Sequence, residues 1–243
     1  MTKDLSSLLR ECASEVGEAI KGHRGRGYSG IRASQYHLDV AADQAALRVL
    51  AGAGLKVVSE ESGVTGDGEL TVVVDPIDGS TNCDRGIPFF ATSLAVMRDE
   101  ELIAGLVVNQ ATGTCFEAQK GAGAFRDGVA ISSSGLRTVA NAIVSFSGLP
   151  DRHLGWAQCR SLGAASLEIC LVADGSLDLF GVAQHSTLHT WDYLAGLLIA
   201  REAGAAAGDY GGDELETSLE VARRPVVAAS KELLTFMLDV GTL

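Results

Sequence analysis

The stretch that decides the fold is TVVVDPIDGSTN, residues 71–82. Its three consecutive valines, residues 72–74, form a β-branched run that is typical of a strand buried on both faces of a sheet. Pro76 has no amide hydrogen for a sheet ladder, so the sequence predicts that the strand ends there. Asp75 is then expected at the tip of a buried strand.

A second carboxylate follows at Asp78, after a turn that can bring its side chain back to Asp75. The turn also leaves the carbonyl group of Ile77 without a ladder partner. Two carboxylates held close repel each other, and a divalent cation between them removes the repulsion. Magnesium prefers such oxygen ligands and is usually shared with a substrate phosphate. The corner is therefore a candidate magnesium site, although a strand cap and a helix cap would also explain the two aspartates.

Another acidic cluster ends a second predicted strand, Lys56–Ser59, where Glu60 and Glu61 follow. Adjacent strands would bring Glu60 and Asp75 to the same edge of a sheet, where open α/β sheets bind ligands. An exposed charged turn is the alternative interpretation. After Asp78, small and hydroxyl residues suit the free amides of a helix N-terminus, where phosphate binds readily.

Composition limits the possible partners. The 243 residues are 47% hydrophobic and 21% charged, with a formal net charge of −12, which argues against binding to nucleic acid or to an anionic membrane. A phosphorylated substrate remains compatible, because bound metal would reverse the local field. Five scattered cysteines are typical of reduced packing residues rather than a disulfide frame or a zinc site. With no apparent signal peptide, we expect a soluble, cytoplasmic protein.

The remaining pattern alternates strands and helices. A basic, Gly-rich segment, residues 22–30, predicts a surface loop, or else a flap that brings charge to an active site. Short strands after residue 91 predict an antiparallel meander, and residues 147–155 predict a crossover. Helices are predicted over residues 3–21, 38–51, 162–173, 193–205 and 231–240. Strands are predicted over residues 56–59, 72–74, 92–97, 102–108, 114–119, 124–126, 142–145, 176–180 and 225–230.

Taken together, several segments resemble the inositol monophosphatase superfamily of metal-dependent phosphatases. They are VVSEESG, DPIDGSTN with GIPFFATSLAV, KGAGAFRDG, RSLGAASLEICLVADGSLDLF and WDYLAGLLIAREAGA, in family order. VVSEESG and GIPFFA are most similar to the archaeal-like branch, which acts on inositol monophosphate and fructose 1,6-bisphosphate. The resemblance implies a layered αβαβα sandwich, usually a homodimer. It also implies a single phosphatase domain over residues 1–243, with an α+β half to about residue 140 and an α/β half after it.

The resemblance also implies the roles of site residues. Two or three magnesium ions would be held by Glu60, Asp75, the Ile77 carbonyl, Asp78 and Asp192. Phosphate would be bound by Asp78, Gly79, Ser80 and Thr81. The catalytic residues would be Asp39, Ser80 and Glu60, with Glu61 as an outer carboxylate behind the ligands.

The implied activity is hydrolysis of a phosphate monoester in a small metabolite by direct attack of a metal-activated water. Inositol monophosphate or a similar sugar phosphate is the expected substrate. The alternatives are fructose 1,6-bisphosphate, histidinol phosphate and nucleotide phosphates such as AMP, NADP or adenosine bisphosphate, or an inactive relative that senses a metabolite. Substrate choice would depend on Ala164, Ala165, His185 and His189. Many inositol phosphatases have a glutamate seven residues before the metal-binding aspartate, where this chain has His185.

Overall fold

The computed structural model describes residues 4–22, 25–31, 35–216 and 221–240. Its α-helices are α1 (Leu5–Gly22), α2 (His37–Leu50), α3 (Ser80–Arg85), α4 (Ala165–Ala173), α5 (Thr190–Glu202) and α6 (Lys231–Asp239). Its strands are β1 (Lys56–Ser59), β2 (Gly63–Thr65), β3 (Leu70–Asp78), β4 (Ala91–Arg98), β5 (Glu101–Asn109), β6 (Cys115–Gln119), β7 (Ala124–Arg126), β8 (Val129–Ala130), β9 (Ile143–Ser147), β10 (Gln158–Arg160), β11 (Leu179–Val182), β12 (Ala206–Asp209) and β13 (Pro225–Ala228).

Two sheets organise these elements. The larger has the order β2-β1-β3-β4-β5-β6-β7-β8, and the smaller has the order β10-β9-β11-β13-β12. Strands β4 to β7 pair antiparallel in succession, which confirms the predicted meander. Strands β9 and β10 are parallel, so the chain crosses over between them, as predicted.

The layers follow from which faces are apolar. Helices α1 and α2 cover one face of the large sheet, and α4 and α5 contact both sheets. Helix α6 covers the outer face of the small sheet, against β12 and β13. Three clusters of buried apolar side chains fill the spaces between these layers. The molecule is therefore the expected αβαβα sandwich.

Helix α1 shows how the sequence pattern produces this packing. Its buried residues recur at three- and four-residue spacing, so one stripe faces the sheet. The buried positions are Leu8, Leu9, Cys12, Ala13, Val16 and Gly17. Residue 3, where this helix was expected to begin, lies outside the described residues.

The prediction that Pro76 ends its strand is wrong. Strand β3 continues to Asp78, and its register against β4 shifts between Asp75 and Asp78. At such a bulge one residue is left unpaired, so the missing amide hydrogen of proline costs no ladder bond. The carbonyl of Pro76 instead accepts a hydrogen bond from Oγ1 of Thr92, at 3.0 Å. Asp75 thus lies within a bulged strand rather than at a strand tip.

The C-terminal half differs from prediction in its boundaries. Helix α4 begins at Ala165 rather than at Leu162, because Gly163 has φ of +84° and Ala164 is extended. The strand expected over residues 176–180 runs from Leu179 to Val182. Among the described helices, none has both the length and the apolar character needed to cross a membrane.

Candidate active site

Two parallel strands place the first two carboxylates side by side. In the pairing of β1 with β3, Ser59 lies opposite Val74, so Glu60 and Asp75 follow at neighbouring positions. The Glu60 amide donates to the Val74 carbonyl at 3.1 Å and continues the ladder into the turn. This arrangement confirms that adjacent strands bring both side chains to the same edge of the sheet.

A third carboxylate reaches the same place from the other half of the chain. Asp192 lies in the first turn of α5, where the His189 amide donates to its Oδ2 at 2.6 Å. Glu60, Asp75 and Asp192 each offer an oxygen within 4.8 Å of the others. Such a spacing suits one shared cation.

These side chains line a cavity of about 250 Å³. Its lining residues are Gln35, Tyr36, Asp39, Glu60, Glu61, Asp75, Ile77, Asp78, Gly79, Ser80, Thr81, Gly163 and Asp192. Six of them are acidic, and none of the lining residues in the described part of the chain is lysine or arginine. The negative charge of the cavity is therefore not balanced by basic side chains.

Burial, together with repulsion among the carboxylates, raises the pKa of these cavity groups. Burial, followed by repulsion from Glu61 and Asp39, raises the pKa of Glu60 to about 7. Burial, followed by repulsion from Glu60, raises the pKa of Asp75 well above its usual value, and burial likewise raises the pKa of Asp192. Oxygens of Glu60 and Asp75 lie within 4.8 Å of each other, and a shared cation would relieve the repulsion between the two carboxylates.

Asp78 is held differently, by the N-terminus of α4. Its Oδ1 accepts from the Ala165 amide at 3.1 Å, and its Oδ2 accepts from the amide and the hydroxyl of Ser166 at 2.7 and 2.5 Å. Burial raises its pKa to about 6, and these hydrogen bonds oppose the rise. Asp78 faces the cavity but lies outside the cluster of three carboxylates described above.

Asp39 enters the cavity from the first turn of α2. Its Oδ2 accepts from the Tyr36 amide at 2.8 Å, whereas its Oδ1 is buried and receives no hydrogen bond from any described residue. Burial raises its pKa to about 6, partly offset by Tyr36 and by the nearby Ser80 hydroxyl. That hydroxyl donates to the Ile77 carbonyl at 2.8 Å. The structure thus places Asp39, Ser80 and the Ile77 carbonyl close together.

The main-chain turn before α3 depends on glycine. Gly79 has φ of +89°, and a Cβ there would lie 2.9 Å from the Gly163 carbonyl oxygen. Asn82 holds the segment that contains Gly163, because its Nδ2 donates to the carbonyl of Leu162 at 2.8 Å and to that of Phe89 at 2.7 Å. Only glycine fits this close approach.

The oxygen atoms of the cavity suit a metal ion as ligands. The lining side chains offer carboxylate, hydroxyl and amide oxygens, with no cysteine or histidine among those described, which suits a hard cation such as magnesium. The buried, unpaired Oδ1 of Asp39 further shows a site with more acceptors than protein donors.

The residues expected to set substrate choice lie outside the cavity lining. His185 is largely exposed, with Nε2 4.0 Å from Asp151. The His189 ring stacks on Trp191, with centroids 4.7 Å apart. Ala164 precedes α4, and Ala165 contributes an amide to Asp78. Their role in specificity stays a prediction.

Sequence reasoning missed several residues that organise the site. Gln35 donates to Glu61, and the Tyr36 hydroxyl lies 3.1 Å from Oγ1 of Thr81. Ser166 was also missed. A usable signal was the position of Gln35 and Tyr36, directly before the helix that carries Asp39.

The sequence is similar to those of known phosphatases. A model described as the inositol monophosphatase family matches residues 7–239. A fructose-1,6-bisphosphatase/inositol-1-monophosphatase of Archaeoglobus fulgidus is 34% identical over an alignment of 253 positions that covers 98% of each chain. A bifunctional NADP phosphatase/NAD kinase of Methanococcus maripaludis is 32% identical over 212 positions, which cover 73% of this chain and 37% of that protein.

Structural similarity agrees with these matches. A crystal structure of an inositol monophosphatase-fructose 1,6 bisphosphatase superposes with a TM-score of 0.86 at 31% identity, covering 98% of this chain and all of the other. The similarity to archaeal enzymes confirms the predicted likeness to the archaeal-like branch. The chain belongs to the inositol monophosphatase family.

Proposed function

We propose that this phosphatase hydrolyses the phosphate monoester of a small sugar phosphate, with inositol monophosphate as the leading substrate and magnesium as the metal. The observation that carries the proposal is the cavity with six acidic side chains and no basic one among the described residues. Such a cavity disfavours a bare phosphate and becomes suitable for one when cations are bound. The archaeal relative named as a fructose-1,6-bisphosphatase/inositol-1-monophosphatase supports the same substrate class.

The proposed ligands of two or three magnesium ions are Glu60, Asp75, the Ile77 carbonyl, Asp78 and Asp192. Magnesium supplies Lewis acidity there, which lowers the pKa of water and neutralises phosphoryl oxygens. The protein contributes the position of each oxygen, fixed by the β1 to β3 pairing, by the β3 bulge and by the first turn of α5.

Asp39 and Ser80 would receive the proton of the attacking water. The Oδ1 of Asp39 is buried and unpaired, and the Ser80 hydroxyl is close by. A Ser80 hydroxyl released from the Ile77 carbonyl could donate to Asp39 and accept from water in turn. The main-chain amides of Gly79, Ser80 and Thr81 would hold the phosphate for in-line attack.

A nucleotide is the second candidate substrate, and Tyr28 favours it. Tyr28 is 61% exposed and is the one exposed aromatic residue of the chain, all of whose aromatic residues are described. Its ring lies 4.7 Å from that of Tyr36, whose hydroxyl contacts Thr81, one of the residues proposed to bind phosphate. A ring at the mouth of a phosphate site can stack on a base. The relative named as an NADP phosphatase/NAD kinase is consistent with this alternative.

An inactive, metabolite-sensing relative is a weaker alternative, because such proteins usually lose a ligand and every proposed ligand is present here.

We further propose a homodimer, as the family resemblance implies. A cytoplasmic location is supported by five free cysteines. A single domain over residues 1–243 is supported by the helices α4 and α5 that both sheets share.

Release of inorganic phosphate tests the main proposal. The substrates are inositol 1-phosphate, fructose 1,6-bisphosphate, histidinol phosphate, AMP, NADP and adenosine bisphosphate, each with EDTA and with added magnesium. We expect magnesium-dependent hydrolysis, highest kcat/KM for a sugar phosphate, and no release in EDTA. Hydrolysis that persists in EDTA would contradict the metal-dependent mechanism.

Tyr28→Ala separates the two substrate classes. If a base stacks on Tyr28, the variant lowers kcat/KM for NADP relative to inositol 1-phosphate by about 5- to 150-fold, the equivalent of 1–3 kcal/mol. Tyr28→Phe, which keeps the ring, is the matched control. An unchanged ratio in Tyr28→Ala would remove the support for a nucleotide substrate.

A further inference from the structure

We propose that Asp43 is a positioning residue that holds the turn carrying Glu60 and Glu61 and thereby sets the magnesium affinity of the site. This inference rests on the metal-dependent function proposed above. This acidic turn comprises residues 59–62, SEES. Asp43 itself is absent from the lining of the cavity and is assigned no contact with metal or substrate.

Asp43 reaches the acidic turn from α2, one helical turn after Asp39. It is 6% exposed. Its Oδ1 accepts from the hydroxyl of Ser59 at 2.5 Å and from the hydroxyl of Ser62 at 3.2 Å. One buried oxygen thus joins the two ends of the acidic turn. A charged acceptor strengthens both hydrogen bonds relative to a neutral one.

The same contacts fix the main chain between the two serines. The Glu61 amide donates to Oγ of Ser59 at 3.3 Å, so the hydroxyl bound to Asp43 also orders the following residue. The Glu60 amide is held by the Val74 carbonyl. The direction in which Glu60 leaves the chain toward Asp75 is therefore set from both sides.

This support matters because the carboxylates of the acidic turn repel their neighbours. Glu61 and Asp39 repel Glu60, and Glu60 in turn repels Asp75. Repulsion favours moving the turn away from Asp75, whereas a shared cation needs it close. Outer hydrogen-bond partners of metal ligands typically change metal affinity by 10- to 100-fold when removed. Asp43 is placed to have that effect through Ser59 and Ser62.

Calorimetric titration of magnesium into metal-stripped, full-length protein tests the inference. We expect Asp43→Asn to weaken magnesium binding by about tenfold or more, because the amide keeps an acceptor but loses the charge. Ser62→Ala, a change at an exposed position, removes one of the two hydroxyl contacts and should weaken binding by less.

Asp178→Asn is the matched control. Asp178 is also a nearly buried aspartate on a serine hydroxyl, with Oδ1 2.5 Å from Oγ of Ser134, but it does not line the cavity. Asp178→Asn should lower the unfolding temperature without changing magnesium affinity. A merely structural Asp43 would behave in the same way.

The outcomes are separable. If the parent protein binds no magnesium, the proposed function fails. If the parent binds magnesium and folded Asp43→Asn binds it equally well, only the positioning role is overturned. If Asp43→Asn does not fold, unchanged affinity in Ser62→Ala overturns it, and weakened affinity supports it.

Discussion

Buried carboxylates of the small sheet and of the acidic cavity differ in how completely hydrogen-bond donors satisfy them. In the small-sheet region, Asp178, directly before β11, accepts from Ser134 and from the Ile143 amide. Asp209, the last residue of β12, accepts from the amides of Gly211 and Arg224. Each oxygen of these two side chains thus has a donor at 2.5–2.8 Å.

In the acidic cavity, Asp78 has donors on both oxygens, but Asp75 and Asp39 lack such matching. Asp75 accepts one main-chain hydrogen bond, from Ile77 at 3.0 Å, and Oδ1 of Asp39 receives none from the described residues. Burial without matching donors raises the pKa of both groups. The buried carboxylates of the small sheet are therefore satisfied by protein donors, whereas Asp75 and Asp39 keep acceptor oxygens available for cations.

The largest expected effect is that Asp75→Asn and Asp178→Asn change stability and activity in opposite ways. Asp75→Asn removes a proposed metal ligand, so phosphate release should fall to the background rate. In EDTA at neutral pH the same change should stabilise the protein by about 1 kcal/mol, or about 2–4 °C in Tm, because an amide can donate to Glu60 without repulsion.

Asp178→Asn should do the opposite, since it disrupts satisfied hydrogen bonds. We expect a loss of about 1–3 kcal/mol with magnesium-dependent activity retained at temperatures where the variant is folded. Thermal unfolding in EDTA and phosphate release measure both effects. Equal destabilisation of the two variants would end the distinction between the regions.

The stability of the metal-free protein should depend on pH through the cavity carboxyl groups. Folding raises the pKa of Asp39 and Asp78 from 3.8 to about 6 and that of Glu60 from 4.5 to about 7. A carboxyl group with a raised pKa binds protons more tightly when folded, so its contribution to stability is complete below its usual pKa and is lost as pH rises through the raised value. The cavity should therefore destabilise the metal-free protein progressively between about pH 4 and pH 7.

Magnesium opposes this loss, because it binds the deprotonated groups. We expect the difference in Tm between magnesium and EDTA to increase from pH 5 to pH 8. Differential scanning calorimetry across this range measures it. A difference that stays constant or shrinks with rising pH would contradict the assignment of the raised pKa values to the metal-binding groups.

The smallest effect is expected for Ser166→Ala. Asp78 would keep the two main-chain donors of α4 after losing this hydroxyl, so the cost should be about 1 kcal/mol and less than about tenfold in activity. Ser145→Ala is the control, since Glu168 also loses a serine and keeps the amides of Leu162 and Gly163. Only Ser166→Ala should alter the magnesium concentration needed for half-maximal activity.

Much of the fold followed from sequence because its signals are local. The apolar stripe of α1 and the short strands of the meander are patterns of three to nine residues that directly reflect burial. The rule that proline ends a strand failed at Pro76. The bulge and the Thr92 hydroxyl that accommodate this proline arise from the pairing of β3 with β4, which the sequence around Pro76 does not show. Strand boundaries in the small sheet likewise depend on partners far away in the chain.

The candidate site was predictable to the extent that it depends on residue type. Asp75 and Asp78 in one corner, with Glu60 after the neighbouring predicted strand, indicated a cation site from residue type alone. Tertiary contacts supplied the rest, since nothing local shows that α4 caps Asp78 or that Asp43 reaches Ser62. His185 shows the converse, because a spacing taken from the family resemblance placed it at a position that is exposed in the structure.

A crystal structure of the protein grown with manganese in place of magnesium would show directly whether the cavity binds a metal, because anomalous scattering locates the ions. We expect at least one strong anomalous peak coordinated by oxygens of Glu60, Asp75 and Asp192. A well-ordered structure in which these carboxylates hold no ion at millimolar manganese, or in which the peaks lie at other residues, would contradict it.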